Sequence, residues 1–157
     1  MNPAAPADRK AREEAVLALA RAQEAVPFDT LLDRVAAALQ RDFPHYTGVY
    51  LYWLEAGATL GLRSFRGRPT EHTRIPVGQG ICGRAAREQR TVVVEDVNAD
   101  PSYLACSLET RSEIVVPIMR GRDVLGEIDI DSDVPAAFDP GDRAFLERLA
   151  EVIARKA

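Results

Sequence analysis

Only two of the 157 residues are cysteine, Cys82 and Cys106. That excludes a disulfide-stapled scaffold: a chain of this length with at most one internal bridge must be held together by its core. Aromatic residues are 6% of the chain and the net charge is −4, so the basic, aromatic-studded surface of a nucleic-acid binder is missing. No run of 18 apolar residues occurs, which leaves no candidate membrane span. The opening MNPAAPADRKAREE lacks the apolar core of a secretory signal, so a reducing, cytoplasmic setting is expected. There the two thiols are either small buried residues or a redox pair. Close-spaced metal ligands are also lacking, and neither a metal nor a cofactor is expected.

What is present is 46% hydrophobic residues, enough for one packed domain. Residues 1–7 read as a loose Ala/Pro-rich tail and 8–25 as a helix stopped by Pro27. Val16, Leu19 and Ala20 give that helix a thin apolar face, suited to peripheral packing or to a second copy in a homodimer. Residues 1–27 are therefore set apart from a single domain over 28–157. Leu31, Val35 and Leu39 recur at helical spacing between Asp29 and Asp42. Strands are expected over 47–55, 59–65 and 91–95, with a short extended piece at 74–77 and a helix over 81–88. Asp139-Pro140 opens a last helix with Phe145, Leu149 and Ile153 on one stripe. Sequential hairpins with flanking helices make an α+β sandwich, a largely antiparallel sheet covered by helices.

The stretch from Cys106 to Asp131 carries the chemistry. Ile114, Val115, Val116 and Ile118 read as a strand buried on both faces. The return strand alternates, with Glu127, Asp129 and Asp131 on one face. Acids are poor strand formers, so this pattern points to a polar pocket. Cross-strand partners share a face and their numbers add to a constant. A two-residue Gly121-Arg122 turn gives 243 and turns Glu113 away from the aspartates. A three-residue loop, Arg120 to Arg122, gives 242 and sets Glu113 opposite Asp129 with Asp131 diagonal; that register, or an equivalent bulge, is expected. Glu127, near the turn, is expected to face solvent.

RIPVGQGICGRA, VVEDVNADPSYLAC, SEIVVPI and LGEIDIDS together resemble the free methionine-(R)-sulfoxide reductases, enzymes built on the GAF fold. The similarity is densest over residues 74–132. It implies a GAF-like sandwich that reduces the free amino acid, with Cys82 and Cys106 as the redox cysteines and Glu113, Asp129 and Asp131 as the acidic pocket. It also implies a Cys82–Cys106 disulfide recycled by thioredoxin. Two positions depart from the family. His72 stands where a further cysteine is usual, and Tyr46 where a pocket Trp is usual, while Tyr50 matches.

Thiol reduction of a sulfoxide gives methionine and a sulfenic acid, which a second thiol condenses to a disulfide. Cys106 is expected to attack, because its loop leads into Glu113. Cys82 has the competing advantage of a helix start, where the dipole favours a thiolate. Crowding should keep one carboxyl protonated, and Glu113 would then donate to the sulfoxide oxygen. Asp129 and Asp131 suit the substrate ammonium, Tyr46 and Tyr50 a wall of the pocket. Backbone N–H groups at Leu104 and Ala105 suit the carboxylate. His72 is expected to be an exposed loop residue. The alternative is a non-enzymatic GAF sensor that binds a small ligand or responds to redox state.

Overall fold

Strand alternation sorts the side chains onto the two faces of one sheet, and each face has its own helical cover. The computed structural model describes residues 6–23, 25–56, 58–105 and 107–157. Cys106 therefore lies outside the described residues. In order the elements are α1 (Pro6–Ala22), α2 (Phe28–Asp42), β1 (Gly48–Glu55), β2 (Thr59–Arg66), β3 (Arg74–Pro76), α3 (Gly80–Glu88), β4 (Val92–Val94), β5 (Ser112–Arg120), β6 (Asp123–Ser132) and α4 (Pro140–Lys156). The strands form one sheet in the order β3-β2-β1-β6-β5-β4, antiparallel at every pairing.

One face carries Val49, Leu51, Ile114, Val116, Ile118, Ile128 and Ile130, packed against α1, α2 and α4. The other carries Tyr50, Tyr52, Leu60 and Val115 and is covered by α3 through Ile81, Cys82, Ala85 and Ala86. The thin apolar face of α1 is used within the chain: Val16, Leu17 and Ala20 are buried in the same core as α4. So α1 is continuous with the domain core rather than set apart from it. Arg9 of α1 forms a two-pronged ion pair with Asp139 at the start of α4. Asp139 and Asp142 cap that helix reciprocally, the arrangement that satisfies two orphan N–H groups at once.

The hairpin between β5 and β6 turns on two residues, with Arg120 opposite Asp123 and Met119 opposite Val124. A bulge follows. Ile118 pairs with Gly126, so Leu125 is the extra residue, and every later pair adds to 244. The parity needed to gather the acids comes from this bulge and not from a longer loop. Glu113 ends up directly opposite Asp131, with Val115 opposite Asp129.

Candidate active site

Glu113, Glu127, Asp129 and Asp131 all sit on the α3 face of the sheet and all are buried. Glu127 is the most extreme, at 0% exposure. The expectation that it faces solvent is wrong, because β6 lies between β1 and β5 and Glu127 alternates with Asp129 onto the face that α3 covers. Above these acids lies the first turn of α3. Gly83 is needed there: a Cβ would come within 2.7 Å of the Pro76 carbonyl oxygen, so only glycine lets the helix lie this close to β3.

Cys82 hangs from that turn, 4% exposed, and its Sγ donates to Asp129 Oδ2 at 3.2 Å. Glu113 in turn hydrogen-bonds Asp129 and keeps the proton. One donor atom each from Cys82, Glu113 and Asp129 lies within 4.8 Å of the others. Such a trio could hold a cation, and the thiol proton and the Glu113 proton link the same atoms. Asp129 Oδ1 and both Glu127 oxygens have no hydrogen-bond partner among the described residues.

Burial dominates the electrostatics. It raises Glu113 well above the usual carboxylate range, aided by Asp129, and raises Glu127, aided by Glu113. Asp131 is raised by burial and Glu113, against the pull of Arg68. Asp129 is pushed up to about 8 by burial and Asp131. The Cys82 thiol is pushed well above its ordinary value by burial and then by Asp129, Glu127 and Glu113. The helix start therefore does not make Cys82 a ready thiolate; loss of water and three nearby acids outweigh a dipole effect of about 1 kcal/mol.

A small cavity of about 20 Å³ opens beside this chain, lined by Tyr52, His72, Ile75, Gly80, Ile81, Cys82, Leu104, Glu113 and Asp129. That volume suits roughly one water molecule. Leu104 fills the space over Gly80, where a Cβ would meet Leu104 Cδ1 at 2.8 Å. Admitting an amino acid requires the Leu104 loop to move outward. Arg84 of α3 holds that loop by ion pairing with Asp100 at 3.2 Å.

The structure brings Cys82, Glu113, Asp129 and Leu104 together at the cavity, and keeps Asp131 and Tyr50 on the same face of the sheet. Tyr50 donates its hydroxyl to the Arg68 carbonyl at 2.6 Å. Ala105 is at the rim, its carbonyl oxygen 3.3 Å from His72 Nε2. His72 is thus a cavity residue and not simply an exposed loop side chain.

Tyr46 is elsewhere. The Pro44-His45 turn before β1 rotates it into the opposite core, where it stacks on Phe43 and donates to Asp142 at 2.7 Å. Its assignment to the pocket wall is corrected. Tyr52 takes that place, donating its hydroxyl to the His72 carbonyl at 2.7 Å. Strand parity could have named Tyr52, because it shares a face with Tyr50 and Glu127. Arg84 gave no such signal.

A GAF domain family model matches residues 27–156. A protein of Dictyostelium discoideum named GAF domain-containing protein A is 35% identical over 122 residues, covering 78% of this chain and 76% of its own. A free methionine-R-sulfoxide reductase of Saccharomyces cerevisiae is 42% identical over 110 residues, 69% of this chain and 61% of the yeast protein. The solved structure of free methionine-R-sulfoxide reductase from Neisseria meningitidis, in complex with its substrate, superposes with a TM-score of 0.88 at 32% identity. The match covers 98% of this chain and 92% of that one.

Proposed function

The chain belongs to the GAF domain family, and from that premise we propose that it reduces free methionine-(R)-sulfoxide to methionine. The observation that carries the reading is the buried hydrogen-bonded chain from Cys82 to Asp129 to Glu113 at a cavity. A sensor pocket needs affinity alone, whereas a thiol, a proton acceptor and a protonated acid in series are what a thiol-based reduction uses. Two relatives bearing the reductase name support the same chemistry.

Cys106 is assigned as the attacking thiol, because Cys82 is held as a protonated thiol out of water. Glu113 protonates the sulfoxide oxygen, which makes the sulfur electrophilic. The oxygen passes to the Cys106 sulfur with the proton from Glu113, and the Cys106 thiol proton replaces it on Glu113, so thiol and sulfoxide become sulfenic acid and methionine. The substrate ammonium holds Asp129 and Asp131 ionised during this half-reaction, and its departure leaves Asp129 as the anion that accepts the next proton. Cys82 then attacks the Cys106 sulfur. Its proton goes to Asp129, and the hydroxyl leaves as water with a proton from Glu113. The Glu113–Asp129 hydrogen bond carries the proton back and restores both groups. A dithiol of the thioredoxin class reduces the Cys82–Cys106 disulfide in a cytoplasmic setting.

The test is direct. The purified chain is given free methionine-(R)-sulfoxide with dithiothreitol, and separately with thioredoxin and its reductase. Methionine is expected in both, and its absence from both removes the reading. Methionine with dithiothreitol alone would assign the recycling step to the cysteine that His72 replaces.

A further inference from the structure

Glu127 is a carboxylic acid buried to 0% exposure, with neither oxygen hydrogen-bonded among the described residues. Its rungs in the sheet are Tyr52 on β1 and Pro117 on β5. Proline has no N–H to offer, and the Tyr52 hydroxyl is directed to the His72 carbonyl. Burying a carboxyl without a partner costs on the order of 1–3 kcal/mol, and a leucine or valine in the same place would avoid that. Such a group calls for a reason. It stands two residues from Asp129 on the same strand face, under the turn of α3 that carries Cys82.

We propose that Glu127 is a positioning residue for the resolving thiol: as a neutral acid it leaves Asp129 open to take the Cys82 proton, and as an anion it blocks that transfer. The titratable groups facing it are Glu113 of β5, Cys82 of α3, Tyr52 of β1, and Asp129 of its own strand. A charge on Glu127 acts on both ends of the Cys82–Asp129 hydrogen bond. It disfavours the thiolate, and it raises the proton affinity of Asp129 so that Asp129 is already occupied. The residue thereby sets an alkaline limit on disulfide formation. This role rests on the reductase reading above, with Cys82 as the resolving thiol.

The experiment separates the two. In a Cys106→Ser chain Cys82 is the sole thiol, and its ionisation is followed by thiolate ultraviolet absorbance against pH, with a chain lacking both thiols as the tyrosine control. Adding Glu127→Gln should lower the Cys82 midpoint by about one pH unit. Glu127→Leu, which also removes the charge at similar volume, should give the same shift and serves if the Gln variant does not fold. An unchanged midpoint in whichever variants fold overturns the proposal, since a purely packing role leaves the thiol titration where it was.

In the chain with both cysteines, disulfide formation after a stoichiometric pulse of sulfoxide is quenched and quantified. Its alkaline limb should move to higher pH in Glu127→Gln, and an unmoved limb also overturns the proposal. Should the wild-type chain leave the sulfoxide untouched, the reductase reading fails while the thiol titration still decides whether Glu127 governs Cys82.

Discussion

At the scale of single residues, the division of labour proposed for the two thiols follows from water. Cys82 lies in a buried turn with Asp129, Glu127 and Glu113 all disfavouring its anion, so it is fitted to donate a proton late and not to open the reaction. Cys82→Ser should therefore yield one methionine per chain and stall at the sulfenic acid, while Cys106→Ser should yield none. Single-turnover assays with trapping of the sulfenic acid check this, and the opposite pattern would exchange the two roles. Asp129→Asn keeps the shape but cannot accept the thiol proton. Disulfide formation should slow by about 10²–10⁴-fold, the usual worth of a positioned general base. A rate within twofold of wild type would mean that Cys82 loses its proton by another route.

The elements explain what the sequence showed and what it hid. Alternation in LGEIDIDS placed Glu127, Asp129 and Asp131 on one face, a local property of strands, whereas Glu113 joined them only on the expectation of an odd-length loop or a bulge. Leu125, the residue that corrects the parity, could not be picked out, because a bulge is chosen by packing on both faces of the sheet and carries no distinct pattern here. Tyr46 was misplaced for a related reason. It sits just ahead of β1, and the two-residue turn before it sends the ring across the sheet. His72 comes to the cavity from a loop where no periodicity reports on position, and Arg84, on α3 outside the cavity lining, was hidden because its partner Asp100 lies in another loop.

The GQGICG motif was legible as a helix start, and the structure adds why its second glycine is required. Gly80 has φ +65° and faces Leu104. Gly80→Ala should cost about 1–2 kcal/mol from the left-handed backbone and displace the Leu104 loop. Urea unfolding would read the first effect and a raised KM the second; an unchanged KM would show that Leu104 does not border the substrate.

For the molecule as a whole, the pocket sets the pH dependence of stability. Glu113, Glu127, Asp129 and Asp131 all bind protons more tightly when folded than when unfolded. Below about pH 4 they are protonated in both states and the fold has its full contribution from them. As pH rises, the unfolded chain ionises first, and stability falls until each folded group has lost its proton. For Asp129 that window runs from about 4, the ordinary carboxylate value, to about 8. Within it each group costs about 1.4 kcal/mol per pH unit.

Asp139 works in the other direction. Arg9 holds it well below the usual range, so its contribution is present at neutral pH and is lost as the solution is acidified. That ion pair also joins α1 to α4, which means acid loosens the helical layer while alkali loosens the pocket. Stability should therefore peak on the mildly acidic side. Urea midpoints at constant salt are expected to decline from about pH 5 to about pH 9. Glu127→Gln should flatten part of that decline, because it removes one of the groups responsible. A midpoint that holds steady or climbs over this range would mean that the four carboxyl groups are ionised within the folded protein, and the proton chain from Cys82 to Glu113 would have no proton to pass.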